Sequence, residues 1–228
     1  AGAVDDTPGT TCATTALGAG VPVVIAPAMH EPMYDHPGVL EAIERVESWG
    51  VTFVDPRIEE GKAKIADAEA IVTEVARAST PHTLAGKHVV VSAGATSESI
   101  DPIRTITNRA SGKTGRAVAK ACYVRGADVT LVHDGPEVSY ADVRPVESAG
   151  EMLDAVLSAV GGGADAFVSA AAVSDFTVDR QDQKIKSGGE LKLDLWPTPK
   201  LIDSVREQYP DLPIVGFKAE TEGSDQQM

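Results

Sequence analysis

The sequence predicts an α/β protein made of two Rossmann-like units, each with a parallel sheet. Three observations carry that expectation. Short apolar, β-branched runs such as Val89-Val90-Val91 recur along the chain, they alternate with stretches of helical period, and the turns that follow them are rich in small residues. Strands that alternate with helices of this length pair in parallel and are covered by helices on both faces.

The elements follow in order. Residues 21–28 are a short continuous apolar run, the pattern of a buried strand. Residues 37–50 place Val39, Ile43 and Val46 on one helical face, and residues 51–54 give the next strand. Residues 67–78 form a closing helix. The stretch 79–87 is polar, unpatterned and interrupted by Pro81 and Gly86, so the domain boundary falls there, with a first domain 1–78 and a second 79–228. The second domain begins with a strand at 88–92 and continues through a helix at 115–125 and a strand at 128–133. A helix at 149–160 and a strand at 166–170 follow. Gly161-Gly162-Gly163 is a loop, and no solenoid period is visible.

With 228 residues and 43% hydrophobic content, the chain can bury a core of one or two domains. No apolar run reaches the roughly 20 residues of a membrane helix, and residues 1–6 lack the basic and apolar regions of a secretory signal. A cytoplasmic protein is expected. The formal charge of -14 repels nucleic acid and anionic membranes, which leaves small molecules as partners. An acidic surface with few lysines also fits work at high salt, where screening removes self-repulsion. Cys12 and Cys122 are far apart in sequence and are expected to be two ordinary buried thiols.

Residues 89–115 point to chemistry. A buried run ends in Ser92-Ala93-Gly94, and a second Ser- and Gly-containing loop, Ser111-Gly112, opens an Ala-rich helix. Where a strand end meets a helix N-terminus, backbone N–H groups and the helix dipole converge on an anion. Two familiar phosphate motifs fail on spacing. A P-loop ending in Gly112-Lys113-Thr114 needs a glycine at Thr107, and a dinucleotide fingerprint needs G-x-G-x-x-G, whereas Gly94 is followed by Ala95, Thr96 and Ser97.

The whole segment resembles the signature of phosphopantothenate-cysteine ligase, the nucleotide-dependent step of coenzyme A synthesis. Ala93-Gly94-Ala95-Thr96 matches its strand end. Residues 100–108, with Ile100, Asp101, Pro102, Arg104, Ile106 and Asn108 in place, match I-D-P-x-R-x-I-x-N, and Ser111-Gly112-Lys113-Thr114-Gly115 matches S-G-K-x-G. Further on, Ala171-Ala172-Val173-Ser174-Asp175 resembles the family's A-A-V-x-D segment. Lys184-Ile185-Lys186, inside the polar, mobile-looking stretch 179–190, resembles its lysine-rich loop. Residues 195–200 and the G-F-x-A-E-T segment at 216–221 also match in order.

The resemblance implies carboxylate activation in two steps. The carboxylate of 4'-phosphopantothenate attacks the α-phosphate of a nucleoside triphosphate, CTP in the leading reading, and the amine of cysteine then displaces the nucleotide. Asn108, Arg104 and Lys184 are the implied catalytic residues. Lys184 meets charge building on phosphate, and Asn108 with Arg104 donates near the acyl oxygen. Gly94, Ser111, Gly112, Ala172, Asp175, Lys186 and Phe217 are implied for nucleotide binding, with Asp175 meeting Mg²⁺ beside the phosphates. Taken singly, Asn108 could cap a helix, Asp175 a turn, and the two lysines could be a solvated loop.

The first domain has its own resemblance. Residues 1–6, Thr10-Thr11, and Pro27-Ala28-Met29-His30-Glu31-Pro32-Met33-Tyr34 look like the later part of phosphopantothenoylcysteine decarboxylase, an FMN flavoprotein often fused ahead of the ligase. Met29 and His30 are then expected near its substrate or flavin, with His30 standing where that family has Asn. The family's flap cysteine has no counterpart after Asp55-Pro56, where residues 59–65 read Glu-Glu-Gly-Lys-Ala-Lys-Ile. Its early histidine would lie before Ala1. The expectation is therefore a piece of a bifunctional, archaeal halophile-like protein, with the flavoprotein domain partly present, no decarboxylation by this chain alone, and a homo-oligomeric parent. Two other classes stay open, a flavin- or nicotinamide-dependent oxidoreductase and a noncatalytic nucleotide-binding regulator.

Overall fold

The structure is a computed structural model, and it describes residues 7–218. Residues 1–6 and 219–221, which carry part of the family resemblance, lie outside the described residues. The chain divides into two compact units, one running to Thr83 and taking in Val124–Gly126, the other holding Leu84–Tyr123 and the chain from Ala127 onward.

In the first unit, α1 (Pro8–Gly18) opens on a capping box in which the Thr7 hydroxyl accepts from Thr10 N–H at 3.3 Å and the Thr10 hydroxyl accepts from Thr7 N–H at 3.0 Å. β1 (Val24–Ile25) and β3 (Thr52–Phe53) form a two-stranded parallel pair, so the run expected at 21–28 keeps only two paired residues. β2 (Met29–His30), β4 (Arg57–Glu59) and β5 (Lys62–Lys64) make an antiparallel sheet in the order β2-β5-β4. Short α2 (Glu31–Tyr34) leads to α3 (Pro37–Glu47), and α4 (Ala68–Ser79) is capped by Asp67, which accepts from Ala70 N–H at 2.8 Å. Val54, Ala66 and Ala70 are buried together as a small core.

The second unit holds the main sheet. β6 (His88–Ser92) is central. A hairpin of β7 (Ser97–Ser99) and β8 (Thr105–Thr107) follows, then α5 (Lys113–Val124), β9 (Asp128–His133), β10 (Asp142–Pro145), α6 (Ala149–Gly161) and β11 (Ala166–Ser169). An antiparallel pair, β12 (Phe176–Val178) and β13 (Leu195–Pro197), precedes α7 (Leu201–Gln208) and β14 (Ile214–Gly216). Five strands pair in parallel in the order β10-β9-β6-β11-β14.

Side-chain alternation explains the layers. Val89 and Val91 of β6, with Val129 and Leu131 of β9, bury against Ala119 of α5. Val90, Val132 and Phe167 point the other way, against Met152 and Val156 of α6 and Leu201 and Val205 of α7. Helices therefore cover both faces, as the alternating pattern predicts. β9 lies on one side of β6 and β11 on the other, so the strand order reverses at β6, and a crevice is expected at its carboxyl end.

Both cysteines are free thiols, as expected. Cys12 is exposed and Cys122 only partly covered, so the pair is not the buried pair that was expected. Among the described residues no helix is long and apolar enough to cross a membrane.

Candidate functional site

The carboxyl edge of the sheet brings the motif residues together. β6 runs into Gly94, whose φ of 80° lies in the left-handed region that favours glycine. Gly112, at φ 66°, rests on it, and a Cβ at Gly112 would come within 3.0 Å of Gly94 N. Behind them Gly115 lets α5 approach the strand end, since a Cβ there would meet the Ala93 Cβ at 2.4 Å. The first turn of α5 is thus pressed onto the end of β6. Arg116 of that turn donates from Nη2 to the Ser111 carbonyl at 2.9 Å and holds the loop.

The A-A-V segment extends the edge. Ala170 N–H donates to Ser92 O at 3.1 Å, Ala172 N–H to Gly94 O at 2.8 Å, and Thr96 N–H to Ala172 O at 3.3 Å. Buried Thr96 fastens the segment further, because its hydroxyl accepts from Ser174 N–H at 2.8 Å and its carbonyl accepts from the Thr107 hydroxyl at 2.9 Å. Exposed Asn108 joins this lattice through its side chain. Its amide nitrogen donates to the carbonyls of Ala172 at 3.1 Å and Val173 at 3.2 Å. Asn108 caps no helix in this fold. Both of its donors are engaged, so donation to an acyl oxygen requires release of one carbonyl.

Arg104 and the lysine stretch are joined by a residue to which the sequence alone gave no role. Asp101 is 1% exposed. Its Oδ1 accepts from the N–H groups of Ile103 and Arg104, each at 2.8 Å, and its Oδ2 accepts from Ile185 N–H at 3.1 Å and from the Arg104 guanidinium. Arg104 also donates to Ile185 O at 3.2 Å. Desolvation pushes the Asp101 carboxyl upward, but the N–H donors of Ile103, Ile185 and Arg104 and the guanidinium outweigh it and hold the pKa at about 2. Asp101 and Arg104 thereby clamp the backbone between Lys184 and Lys186, whose side chains are exposed and without ion pairs among the described residues. An aspartate before proline, two residues ahead of further loop N–H groups, is the sequence signal that could have revealed the clamp.

Glu98 plays a comparable part on the other side. It is 6% exposed, accepting from Ala149 N–H at the start of α6 at 2.8 Å and from the Thr177 hydroxyl at 2.7 Å, so it ties β7, α6 and β12 together. Asp175 is exposed and accepts from Lys200 Nζ at 2.6 Å. Among the described residues no cluster of three ligating side chains could cage a metal. A magnesium ion carried in on phosphates would find a single carboxylate here, in competition with Lys200. Phe217 follows β14, donates its N–H to Ser169 O at 3.0 Å and leaves its ring 53% exposed at the same sheet edge. Gly94, Ser111, Gly112, Ala172, Asp175 and Phe217 therefore share one edge, with Asn108 bonded into it.

The first unit offers less. Met29 is half-buried and His30 exposed in β2, and His30 precedes α2 without a side-chain capping bond. A recess of about 450 Å³ between α1 and α3 is lined by Leu17, Ile25, Val39, Val46 and Phe53, with Thr10 and Thr14 its hydroxyls. It is apolar and carries no cation for a phosphate. Neither Met29 nor His30 lines it.

Residues 84–228 match the DNA/pantothenate metabolism flavoprotein C-terminal domain, and residues 1–80 match the flavoprotein family. The chain is 52% identical to the coenzyme A biosynthesis bifunctional protein CoaBC of Thermococcus kodakarensis, over 99% of this chain and 57% of that protein. It is 39% identical to the CoaBC protein of Bacillus subtilis, over 92% of this chain and 55% of that one. The chain thus spans little more than half the length of these relatives. A crystal structure of the C-terminal domain of a CoaBC protein superposes with a TM-score of 0.52 at 32% identity, over 60% of this chain and 67% of the other. With more than half of its length matched by one family model, the chain belongs to the family of the DNA/pantothenate metabolism flavoprotein C-terminal domain, that of the bifunctional coenzyme A biosynthesis proteins.

Proposed function

We propose that the second unit is the phosphopantothenate-cysteine ligase region of a bifunctional coenzyme A biosynthesis enzyme, and that the first unit contributes the later part of its FMN-dependent decarboxylase. The observation that carries this reading is the close packing of Gly94, the Ser111-Gly112 loop and the start of α5 at one strand end, with the lysine stretch clamped by Asp101 and Arg104. Such a strand end, at a reversal of strand order and beside a helix N-terminus, suits a nucleotide's phosphates.

In the first step a carboxylate oxygen of 4'-phosphopantothenate forms a bond to the α-phosphorus of a nucleoside triphosphate, CTP in this reading, and pyrophosphate leaves. The negative charge grows on phosphate oxygens. The dipole of α5 and the cations of Lys184 and Lys186 meet that charge, with Asp101 and Arg104 as positioning residues that fix the lysine backbone. In the second step the cysteine amine attacks the acyl carbon, the nucleoside monophosphate leaves, and the amine gives up its proton. Asn108 keeps the Ala172-Val173 wall in place, and its amide reaches a developing oxyanion only by exchanging a carbonyl partner. Asp175 is the carboxylate available to a metal ion brought by the triphosphate, with Lys200 as the cation exchanged. FMN, bound by the whole protein, would supply the redox chemistry of the decarboxylation, and Met29 and His30 would lie on the substrate side of that site. A cytoplasmic homo-oligomer acting on small molecules completes the proposal.

The test is pyrophosphate release by the intact protein from CTP and magnesium, with and without 4'-phosphopantothenate. Release that depends on phosphopantothenate supports the ligase. Nucleotide binding without release would indicate a regulator, and a yellow protein that consumes NADPH and releases no pyrophosphate would indicate an oxidoreductase.

A further inference from the structure

The end of β9 carries a group of side chains that the ligase reading does not use. β9 lies beside central β6, with Ala93 N–H donating to Val132 O at 2.9 Å, and it ends at His133, Asp134 and Gly135. Asp134 lies over the glycine turn, its Oδ1 2.0 Å from the point where a Cβ at Gly94 would stand. The Cβ position of Gly112 is 2.9 Å from Arg116 Nη1, and that of Gly135 is 3.6 Å from the same nitrogen and 2.7 Å from His133 Nδ1. These close approaches knit Asp134, Arg116 and His133 into one corner around the first turn of α5.

The corner is incomplete in polar terms. His133 is fully buried, and neither ring nitrogen makes a hydrogen bond of good geometry, the Pro136 carbonyl lying near but poorly placed. Burial and then the charge of Arg116 lower its pKa, against the opposite pull of Asp134, the Pro136 carbonyl and Glu137. A buried polar ring so poorly partnered calls for an explanation, such as a water or a ligand group. The Asp134 carboxylate is exposed and makes no hydrogen bond or ion pair among the described residues.

The chemistry decides what fits. A carboxylate over Gly94 confines a phosphate to the Ser111-Gly112 side of the turn and accepts from a hydroxyl on its own side. Arg116 has one nitrogen engaged by the Ser111 carbonyl and stands between this acid and the phosphate-facing loop. In open α/β sheets that bind nucleotides on the first helix, an acid at the end of the second strand is placed to take the ribose hydroxyls. We infer that the end of β9 is the sugar subsite of the triphosphate, with Asp134 accepting a ribose hydroxyl and Arg116 bridging sugar and phosphate. The inference rests on the proposed nucleotide-dependent ligase and deepens it, because it assigns discrimination between ribo- and deoxyribonucleotides to this corner.

Titration calorimetry of the intact protein with CTP, 2'-deoxy-CTP and 3'-deoxy-CTP tests it, comparing wild type with Asp134→Ala and Asp134→Asn. Wild type is expected to bind CTP about ten- to a hundredfold more tightly than at least one deoxy analogue, the range of a hydrogen bond to a charged group. Asp134→Ala should bring the affinities together, and Asp134→Asn, which keeps an oxygen acceptor, should retain part of the difference. Because Asp134 is exposed, both variants should melt as wild type does. Equal affinities in wild type, or discrimination unchanged in Asp134→Ala, would overturn the subsite and leave the ligase reading standing. Failure of wild type to bind any of the three would overturn both.

Discussion

Gly115 is where α5 lies against the end of β6, and Gly115→Ala sets two effects of opposite sign against each other. Inside a helix, alanine is favoured over glycine by about 1 kcal/mol. The new Cβ, however, would stand 2.4 Å from the Ala93 Cβ and 3.0 Å from both the Ala93 Cα and the Ser92 carbonyl oxygen. Carbon atoms rest at about 3.5–4.0 Å, and a strand backbone cannot swing aside as a long side chain can. α5 must therefore retreat by about 1 Å. Overpacking of this kind costs about 1–3 kcal/mol, and contact with backbone places it in the upper part of that range. The net expectation is a loss of about 1–2 kcal/mol, or roughly 2–8 °C in Tm for a chain of this size. Retreat also lifts Gly112 off Gly94, so nucleotide affinity should fall with stability. Gly150→Ala in α6 is the control, since its Cβ would meet only the Ser148 hydroxyl at 3.9 Å, and it should be neutral or stabilising by up to about 1 kcal/mol. Thermal melting and titration calorimetry provide the readouts. A Gly115→Ala protein with raised Tm and unchanged affinity would refute the close approach.

Three further outcomes follow from particular contacts. Asp101 has a folded-state pKa of about 2 against an ordinary 3.8. Its stabilisation is therefore complete above about pH 4 and is lost as pH falls toward 2, so the gap between wild type and Asp101→Asn in acid-unfolding curves should close across that window. Glu98→Ala leaves Ala149 N–H and the Thr177 hydroxyl without their buried acceptor and should cost about 2–3 kcal/mol in denaturant titrations, with Glu98→Gln milder. Asn108→Asp turns a carboxylate toward the carbonyls of Ala172 and Val173. In trapped-intermediate mass spectrometry it should accumulate the acyl-nucleotidylate while amide formation falls by about 10²-fold; normal amide formation would remove Asn108 from the account.

The second unit was largely legible in the sequence because burial wrote its pattern. β6, β9 and β11 are apolar runs covered on both faces, and α5 and α6 carry buried stripes, so all five emerge within a few residues of their observed bounds. Elements held by backbone pairing rather than burial left little trace. The β7–β8 hairpin reads Ser-Glu-Ser against Thr-Ile-Thr, and the β2-β5-β4 sheet is short and mostly exposed, so neither writes a strand pattern in the sequence. α1 buries no residue and is rich in threonine, which hides its helical period. α7 could have been found from Leu201 and Val205, four apart and both buried. The motif residues stand in family order along the chain, but their division of labour is not readable there. Asp101 and Arg104 meet Ile185 more than eighty positions later, and Asn108 meets Ala172, 64 positions later. Such pairings are properties of the fold. His133 and Asp134 looked like an ordinary strand end, and only the glycine contacts around them set them apart.

Mass spectrometry of the intact protein, mixed with CTP, magnesium and 4'-phosphopantothenate without cysteine, tests the ligase assignment most directly, with pyrophosphate measured in the same samples. The account predicts a 4'-phosphopantothenoyl nucleotidylate in step with released pyrophosphate, consumed when cysteine is added, and absent in Lys184→Gln. No nucleotidylate and no pyrophosphate from wild type would contradict the ligase assignment, and normal formation of both in Lys184→Gln would contradict the role given to the clamped lysine stretch.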